Sequence, residues 1–301
     1  MHKTVPGVDE MLSQTFDTSF LKENQETITP NGALFDCTKY GFLPELLLQM
    51  YNERKETKKL MLEAQQEYED TKHPKLLNLI SRYKNRQMAL KIALNSAYGA
   101  IGNQYFRFYD IRIAEAVTYG GQLAIRWIEI ALNKYLNELM KTDNVDYVLA
   151  SDTDSVYVKM SALVEKVCKD KDNNKILNFL DKVVEQKLQP FIDKCFKELG
   201  RYTNAFQQRL EMKREIIADK GIWVAKKRYM LNVLDEEGIR YRKPKLKIMG
   251  VEAVKSSTPQ VCREEIRKAI DIILTGTQEN LIKFVSDFKN ICYNLTIIYN
   301  E

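Results

Sequence analysis

The chain has 301 residues, of which 45% are hydrophobic and 29% charged, with a formal net charge of +5. These are globular proportions, and the length can bury one large core or two. No apolar run reaches about 18 residues, which excludes a transmembrane helix; residues 1–7 lack a signal-peptide core; and the five scattered cysteines form no C-x-x-C pair, which points to reduced thiols in a cytoplasmic setting and away from zinc.

Residues 1–40 read as irregular, with a turn signal at Thr29-Pro30-Asn31-Gly32 whose Asn-Gly pair suits a tight hairpin. From Gly41 to about Glu69 the pattern turns helical, with Leu43, Leu46, Leu47, Met50 and Tyr51 recurring at three and four. Arg54 and Lys58 then lie one turn apart on one face. Thr71-Lys72-His73-Pro74 breaks the run, and a second helix is predicted from Lys75 to Tyr98, making an antiparallel helical hairpin. Near its end Lys91, Asn95 and Tyr98 fall at i, i+4 and i+7 and share a face. A cation, an amide and a phenol in line suit a ligand with phosphate at one end and a flat polar ring at the other. They read equally as a surface lysine, a helix-ending asparagine and a half-buried tyrosine. Gly99 omits a side chain where something must come close.

A third helix is predicted over Ile111–Lys141, with Trp127 on its apolar face and Gly120-Gly121 as a close-packing point against a sheet. Next, Tyr147–Ala150 and Val156–Val158 flank Asp152-Thr153-Asp154-Ser155 as strand, turn and strand. In an extended segment Asp152 and Asp154 project together and Thr153 turns away. Paired carboxylates repel unless a cation sits between them, and hard oxygen ligands beside phosphate suit Mg²⁺. An ordinary Asp-rich turn has the same composition.

Residues 160–200 read as two helices broken near Lys169–Asn174. Residues 207–248 are β-prone, with a hairpin turn at Asp235-Glu236-Glu237-Gly238 between Trp223–Leu234 and Ile239–Ile248. Residues 212–247 hold eleven Lys/Arg against five Asp/Glu, interleaved with Trp223, Tyr229 and Tyr241. That is either a phosphate-tracking surface or a solvated sheet face. Ser257 or Thr258 is the expected N-cap of the first of two closing helices.

Three ordered stretches carry a resemblance. Lys91…Asn95-Ser96-Ala97-Tyr98-Gly99, then Asp152-Thr153-Asp154-Ser155, then Lys226-Lys227-Arg228-Tyr229 resemble motif B, motif C and the K-K-R-Y element of family B DNA polymerases, most closely those of T-even-like phages. Asn52–Lys58 looks like the fingers helix before motif B, and Lys245–Gly250 followed by Lys255–Pro259 is similar to the same subfamily. The resemblance runs from about Gly41 to Pro259.

It implies an α+β fold: a palm with an antiparallel sheet and packed helices, a two-helix fingers hairpin and a truncated thumb. Residues 1–40 would be a palm-associated segment, 41–98 the fingers, 99–258 the palm and 259–301 the start of the thumb. By the same resemblance Asp154 and Asp152 would be catalytic and bind two Mg²⁺ (or Mn²⁺) ions, with Glu215 close by. Arg54, Lys58 and Lys91 would hold the triphosphate of a dNTP, with Asn95 and Tyr98 under the nascent base pair. Lys226, Lys227, Arg228, Tyr229, Lys245 and Lys247 would contact primer–template DNA.

Two departures qualify this. Ser151 stands where the family has Gly. Motif A, an Asp followed by a Ser-Leu-Tyr-Pro-type run, has its nearest match in Asp17-Thr18-Ser19-Phe20-Leu21, which lacks the Tyr-Pro; the exonuclease is also missing. The expectation is one chain of a split phage-type polymerase in the host cytoplasm, inactive without a complementary chain that carries motif A and the exonuclease. The alternative is a non-catalytic nucleotide- or DNA-binding relic of the fold.

Overall fold

A computed structural model describes residues 5–168 and 172–298, with side chains through residue 290. Residues 169–171, within the break expected at Lys169–Asn174, lie outside the described residues. The chain divides into two compact units, Met1–Lys213 and Arg214–Glu301. The elements are helical and antiparallel β, an α+β fold.

The first unit opens with α1 (Gly7–Leu12), α2 (Phe20–Asn24) and an antiparallel hairpin of β1 (Glu26–Ile28) and β2 (Leu34–Asp36). The Asn31-Gly32 signal falls in the connecting loop, where Gly32 has φ +77°. This stretch reads as irregular in sequence because each element is too short to show a period. Its order comes from single anchors: Met11, Leu21 and Ile28 are buried in the main core.

Helices α3 (Phe42–Thr71) and α4 (Lys75–Ile101) form the predicted hairpin, cross-linked by Arg86 and Glu53 at 2.7 Å. Lys72 reverses the chain in the left-handed region. Helix α5 (Ile111–Met140) is N-capped by Asp110, which accepts from the Arg112 N–H at 2.9 Å. Its Leu123, Ile128, Leu132, Leu136 and Met140 form the spine of the core. Gly120-Gly121 is not the close-packing point the sequence suggests: a Cβ built at either position meets nothing within 4 Å. Close packing of α5 falls instead on Ala114, Ala116 and the residues from Leu123 onward.

Among the described residues, strands β3 (Val148–Asp152) and β4 (Ser155–Val158) pair only with each other. Then follow α6 (Ser161–Val167), α7 (Asn173–Val183), a π-helical turn at Val184–Leu188 and α8 (Gln189–Tyr202). Cys195, Phe196 and Leu199 of α8 join the α5 spine in the core.

The second unit is a meander, β5 (Ile216–Ala225), β6 (Arg228–Glu236) and β7 (Ile239–Met249), followed by α9 (Gln260–Thr275) and α10 (Gln278–Ile298). Central β6 is buried from Tyr229 to Asp235. Glu237 (φ 54°) and Gly238 (φ 90°) make the predicted turn, two consecutive positive-φ residues as a tight hairpin requires. Met230, Val251, Ala253, Ile270 and Leu274 form a separate small core.

Two sequence expectations change here. The strand expected over Trp223–Leu234 is interrupted by a turn at Lys226-Lys227. The N-cap of α9 is Pro259, with no side-chain cap, rather than Ser257 or Thr258. No described helix is long and apolar enough to cross a membrane.

Candidate active site and nucleic-acid contacts

The β3–β4 register closes on Asp152 opposite Ser155, leaving Thr153-Asp154 as a two-residue turn. Thr153 has φ 56°, and the Asp154 N–H donates to the Asp152 carbonyl at 2.6 Å. The backbone therefore reverses at Thr153. The two acids reach the tip through a turn and not through strand alternation, which corrects the extended geometry expected from sequence. A β-branched residue at positive φ is costly and persists where its surroundings over-determine it. Asp152 is half-buried and accepts from the Thr153 hydroxyl at 3.0 Å; the Ser155 hydroxyl donates to the Asp152 carbonyl at 3.2 Å. Asp154 is exposed.

The tip thus offers hard oxygen donors of the kind Mg²⁺ takes. Their number falls short of a complete site: among the described residues no group of three or more His, Cys, Asp or Glu side chains is placed to hold a metal. Asp17 does not complete one. Its carboxylate accepts from the Ser19 N–H (2.9 Å) and hydroxyl (3.0 Å), which hold it below the usual carboxylate range.

Arg54 and Lys58 sit half-buried one turn apart on α3. The Arg54 Nε is shielded from solvent and hydrogen-bonds to none of the described residues. Neighbouring charges are committed, Lys55 to Glu211 at 3.2 Å and Glu53 to Arg86. Lys91, Asn95 and Tyr98 are exposed along one face of α4, and Lys91 makes no ion pair among the described residues. The Tyr98 hydroxyl lies 2.9 Å from that of Thr118 on α5, which fixes a ring that is 46% exposed. A Cβ at Gly99 would meet nothing within 4 Å, so the close approach the sequence suggests there is not made by any described residue.

Motif spacing passed over the loop between α4 and α5. Tyr105 is 88% exposed, and Phe108 and Tyr109 are also exposed. Arg107 lies 5.6 Å over the Phe108 ring. The signal was present as Tyr105-Phe106-Arg107-Phe108-Tyr109, and exposed aromatic faces beside a cation are surfaces on which unpaired bases stack.

In the second unit Lys226 and Lys227 form the β5–β6 turn and are exposed, with Lys227 at φ 61°. Gly250 (φ 66°) passes so close that a Cβ there would fall 2.1 Å from the Lys227 carbonyl oxygen. Arg228 is ion-paired with Glu252. Tyr229 is buried at 6% exposure, its ring stacked on Trp223 with centroids 6.2 Å apart.

Lys245 (2.7 Å) and Lys247 (3.9 Å) share Glu236, which also accepts from the Tyr241 hydroxyl. Burial alone would raise the Glu236 carboxyl; the hydrogen bonds from Lys245 and Tyr241 and the nearby lysine charges outweigh it and hold it below its ordinary value. Asp235, fully buried, is paired with Arg214 and Arg240. Part of the basic excess is thus balanced inside the sheet, while Lys226 and Lys227 at the turn and Arg242 and Lys243 on β7 are exposed. Glu215 lies just before β5, its carbonyl accepting the Glu237 N–H at 2.5 Å.

A sequence model of DNA polymerase family B matches residues 7–297, and the chain belongs to that family. It is 36% identical to the DNA-directed DNA polymerase of Escherichia phage RB69, over 90% of this chain and 34% of that protein. The corresponding enzyme of Enterobacteria phage T4 is 33% identical, over 88% of this chain and 35% of its own length. DNA polymerase 1 of Pyrococcus abyssi is 28% identical, over 82% and 26%. The chain therefore spans about a third of the length of the phage relatives it matches.

Proposed function

We propose that this chain carries the metal-binding hairpin, the nucleotide-binding helical face and part of the duplex-contact surface of a DNA-directed DNA polymerase. The observation that carries the reading is the β3–β4 tip, where a strained turn sets Asp152 and Asp154 together in the motif that the family resemblance assigns to catalysis. Asp154, with Asp152 beside it, would hold Mg²⁺ or Mn²⁺. Two such ions supply Lewis-acid stabilisation to the attacking 3′-oxygen of the primer and to the leaving oxygen. Lys91 and Arg54, with Lys58, offset the triphosphate charge of the dNTP; the exposed Lys91 and the unpartnered Arg54 Nε support this. Asn95 and Tyr98 support the nascent base pair. Lys226 and Lys227 touch the duplex backbone without reading sequence, as an enzyme that copies any template requires, with Arg228, Tyr229, Lys245 and Lys247 behind them. In this reading residues 41–98 are fingers, 99–258 palm and 259–301 the start of the thumb.

Two carboxylates do not complete a two-metal site. The remaining carboxylate comes from a polypeptide carrying motif A, and residues 1–301 alone extend primers negligibly. Primer extension in Mg²⁺, with the chain alone and with a complementary polypeptide bearing motif A, tests this. Extension only in the mixture supports it. No extension in either, with nucleotide and duplex binding intact, supports a non-catalytic binding relic. Robust extension by the chain alone, stopped by Asp17→Asn, would make Asp17 a degenerate motif A.

A further inference from the structure

Helix α5 meets the segment leading into the catalytic turn through three residues spaced four apart: Asn137, Asn133 and Glu129. The Asn137 Nδ2 donates to the Val145 carbonyl at 2.7 Å, and its Oδ1 accepts from the Val145 N–H at 3.0 Å and from the Thr142 hydroxyl at 2.8 Å. The Asn133 Oδ1 accepts from the N–H groups of Tyr147 (2.8 Å) and Val148 (3.0 Å), and its Nδ2 donates to the Asp146 Oδ1 at 3.0 Å. The Glu129 Oε2 accepts from the Ser151 hydroxyl at 3.1 Å. The contacts climb the strand as they descend the helix, so the two run antiparallel. They lie on one stripe of α5, because residues four apart share a face.

A two-stranded hairpin is marginal by itself, and among the described residues β3 pairs only with β4. The N–H of Val148 at the start of β3 and that of Tyr147 just before it both donate to the Asn133 amide oxygen. A one-residue slip of β3 would turn every side chain to the opposite face, Asp152 included. The third rung depends on Ser151, which stands where the family resemblance has glycine; glycine offers Glu129 no hydroxyl.

We propose that Asn137, Asn133 and Glu129 form a polar ladder that fixes the register of the Asp152/Asp154 hairpin against α5. Asn133 is its principal positioning residue, and its catalytic consequence rests on the polymerase reading. They are positioning residues, which act by holding β3.

Hydrogen exchange at the amides of residues 147–158, measured in the full chain, tests the ladder without needing activity. Asn133→Ala accelerates exchange there about tenfold, as the loss of two hydrogen bonds implies, and leaves α3, α4 and the second unit unchanged. Asn133→Asp accelerates it as well, because a second carboxylate then faces Asp146. Asn133→Asp combined with Asp146→Asn exchanges donor for acceptor between the two side chains and slows exchange relative to Asn133→Asp alone; recovery is partial, because the Asp146 Oδ1 also accepts from the Val148 N–H at 3.2 Å and an amide nitrogen there does not. Ser151→Ala, an exposed change that leaves the core intact, loosens only the tip, by about threefold, and decides the matter if Asn133→Ala does not fold. With the motif A polypeptide added, Asn133→Ala lowers kcat and leaves KM for the nucleotide unchanged, and the paired exchange restores kcat in part. Unaltered hairpin exchange in Asn133→Ala and Ser151→Ala, or a paired exchange that restores nothing, overturns the ladder. If the parent mixture never extends a primer, the polymerase reading fails and the exchange rates still decide this one.

Discussion

The β3–β4 turn carries two carboxylates and the β5–β6 turn two ammonium groups, and each pivots on a non-glycine residue at positive φ, Thr153 at 56° and Lys227 at 61°. Their supports differ. Among the described residues the acidic hairpin is a two-stranded ribbon of short strands, held by hydrogen bonds that it donates to α5 side chains. The basic turn caps two long strands of a three-stranded sheet whose central strand is buried and whose internal charges are paired at Asp235 and Glu236. The comparison teaches that position is secured where charge must be placed accurately, by specific polar contacts from another element. Where charge need only be presented, an ordinary sheet suffices. Substitutions remote from the acidic turn are therefore felt at it, whereas the basic turn depends on its own residues and on Gly250, whose missing side chain leaves room for the Lys227 carbonyl.

Lys91 belongs to neither turn and sharpens the contrast most. Lys91→Ala weakens nucleotide binding by about 10- to 100-fold, the loss expected of a charge-assisted hydrogen bond, with duplex affinity unchanged. Parallel nucleotide and duplex titrations check this, and equal loss of both breaks the assignment. Next in size, Lys226→Ala with Lys227→Ala lowers duplex affinity by similar factors on unrelated sequences and reduces the salt slope by about 2. A strong preference for one sequence contradicts a sequence-blind contact.

The smallest effect is on pH stability. The Glu236 carboxyl is held below its unfolded value, so its contribution is present above the unfolded pKa of about 4.3 and is lost as pH falls through the lower folded value. Lys245 is opposed by burial but raised by Glu236 and Tyr241, so its contribution is lost only as pH rises past about 10.4. Thermal melts of the second unit should be flat between these limits and fall at acid pH in the parent, and fall less in Glu236→Gln.

Long elements and tight turns were legible in the sequence. The α3–α4 hairpin and α5 show sustained periodicity, and Glu237-Gly238 carries the residues its turn demands. The Lys226-Lys227 turn was hidden because no Gly, Asn or Pro marks it; the glycine that accommodates it, Gly250, lies on the far side of β6 and β7 in sequence. The acids at the tip were found by residue type, but their geometry was misjudged, because alternation assumes extended backbone and Thr153 is not extended. Asn133 carried no sequence signal: an asparagine in a long amphipathic helix looks like a surface residue until β3 is seen to lie against it. The burial of Tyr229 was equally invisible, since K-K-R-Y reads as a uniformly exposed basic patch.

The central claim is that the acidic turn performs the chemistry and the basic turn holds the duplex. Single-nucleotide incorporation and duplex affinity, measured on the same preparation with the motif A polypeptide present, test it most directly. Asp154→Asn should reduce incorporation at least about a thousandfold, as the loss of a metal-binding catalytic group implies, while assembly and duplex affinity stay at parental values. Incorporation within a fewfold of the parent in Asp154→Asn, or a loss matched by equal loss of duplex binding, would contradict the account.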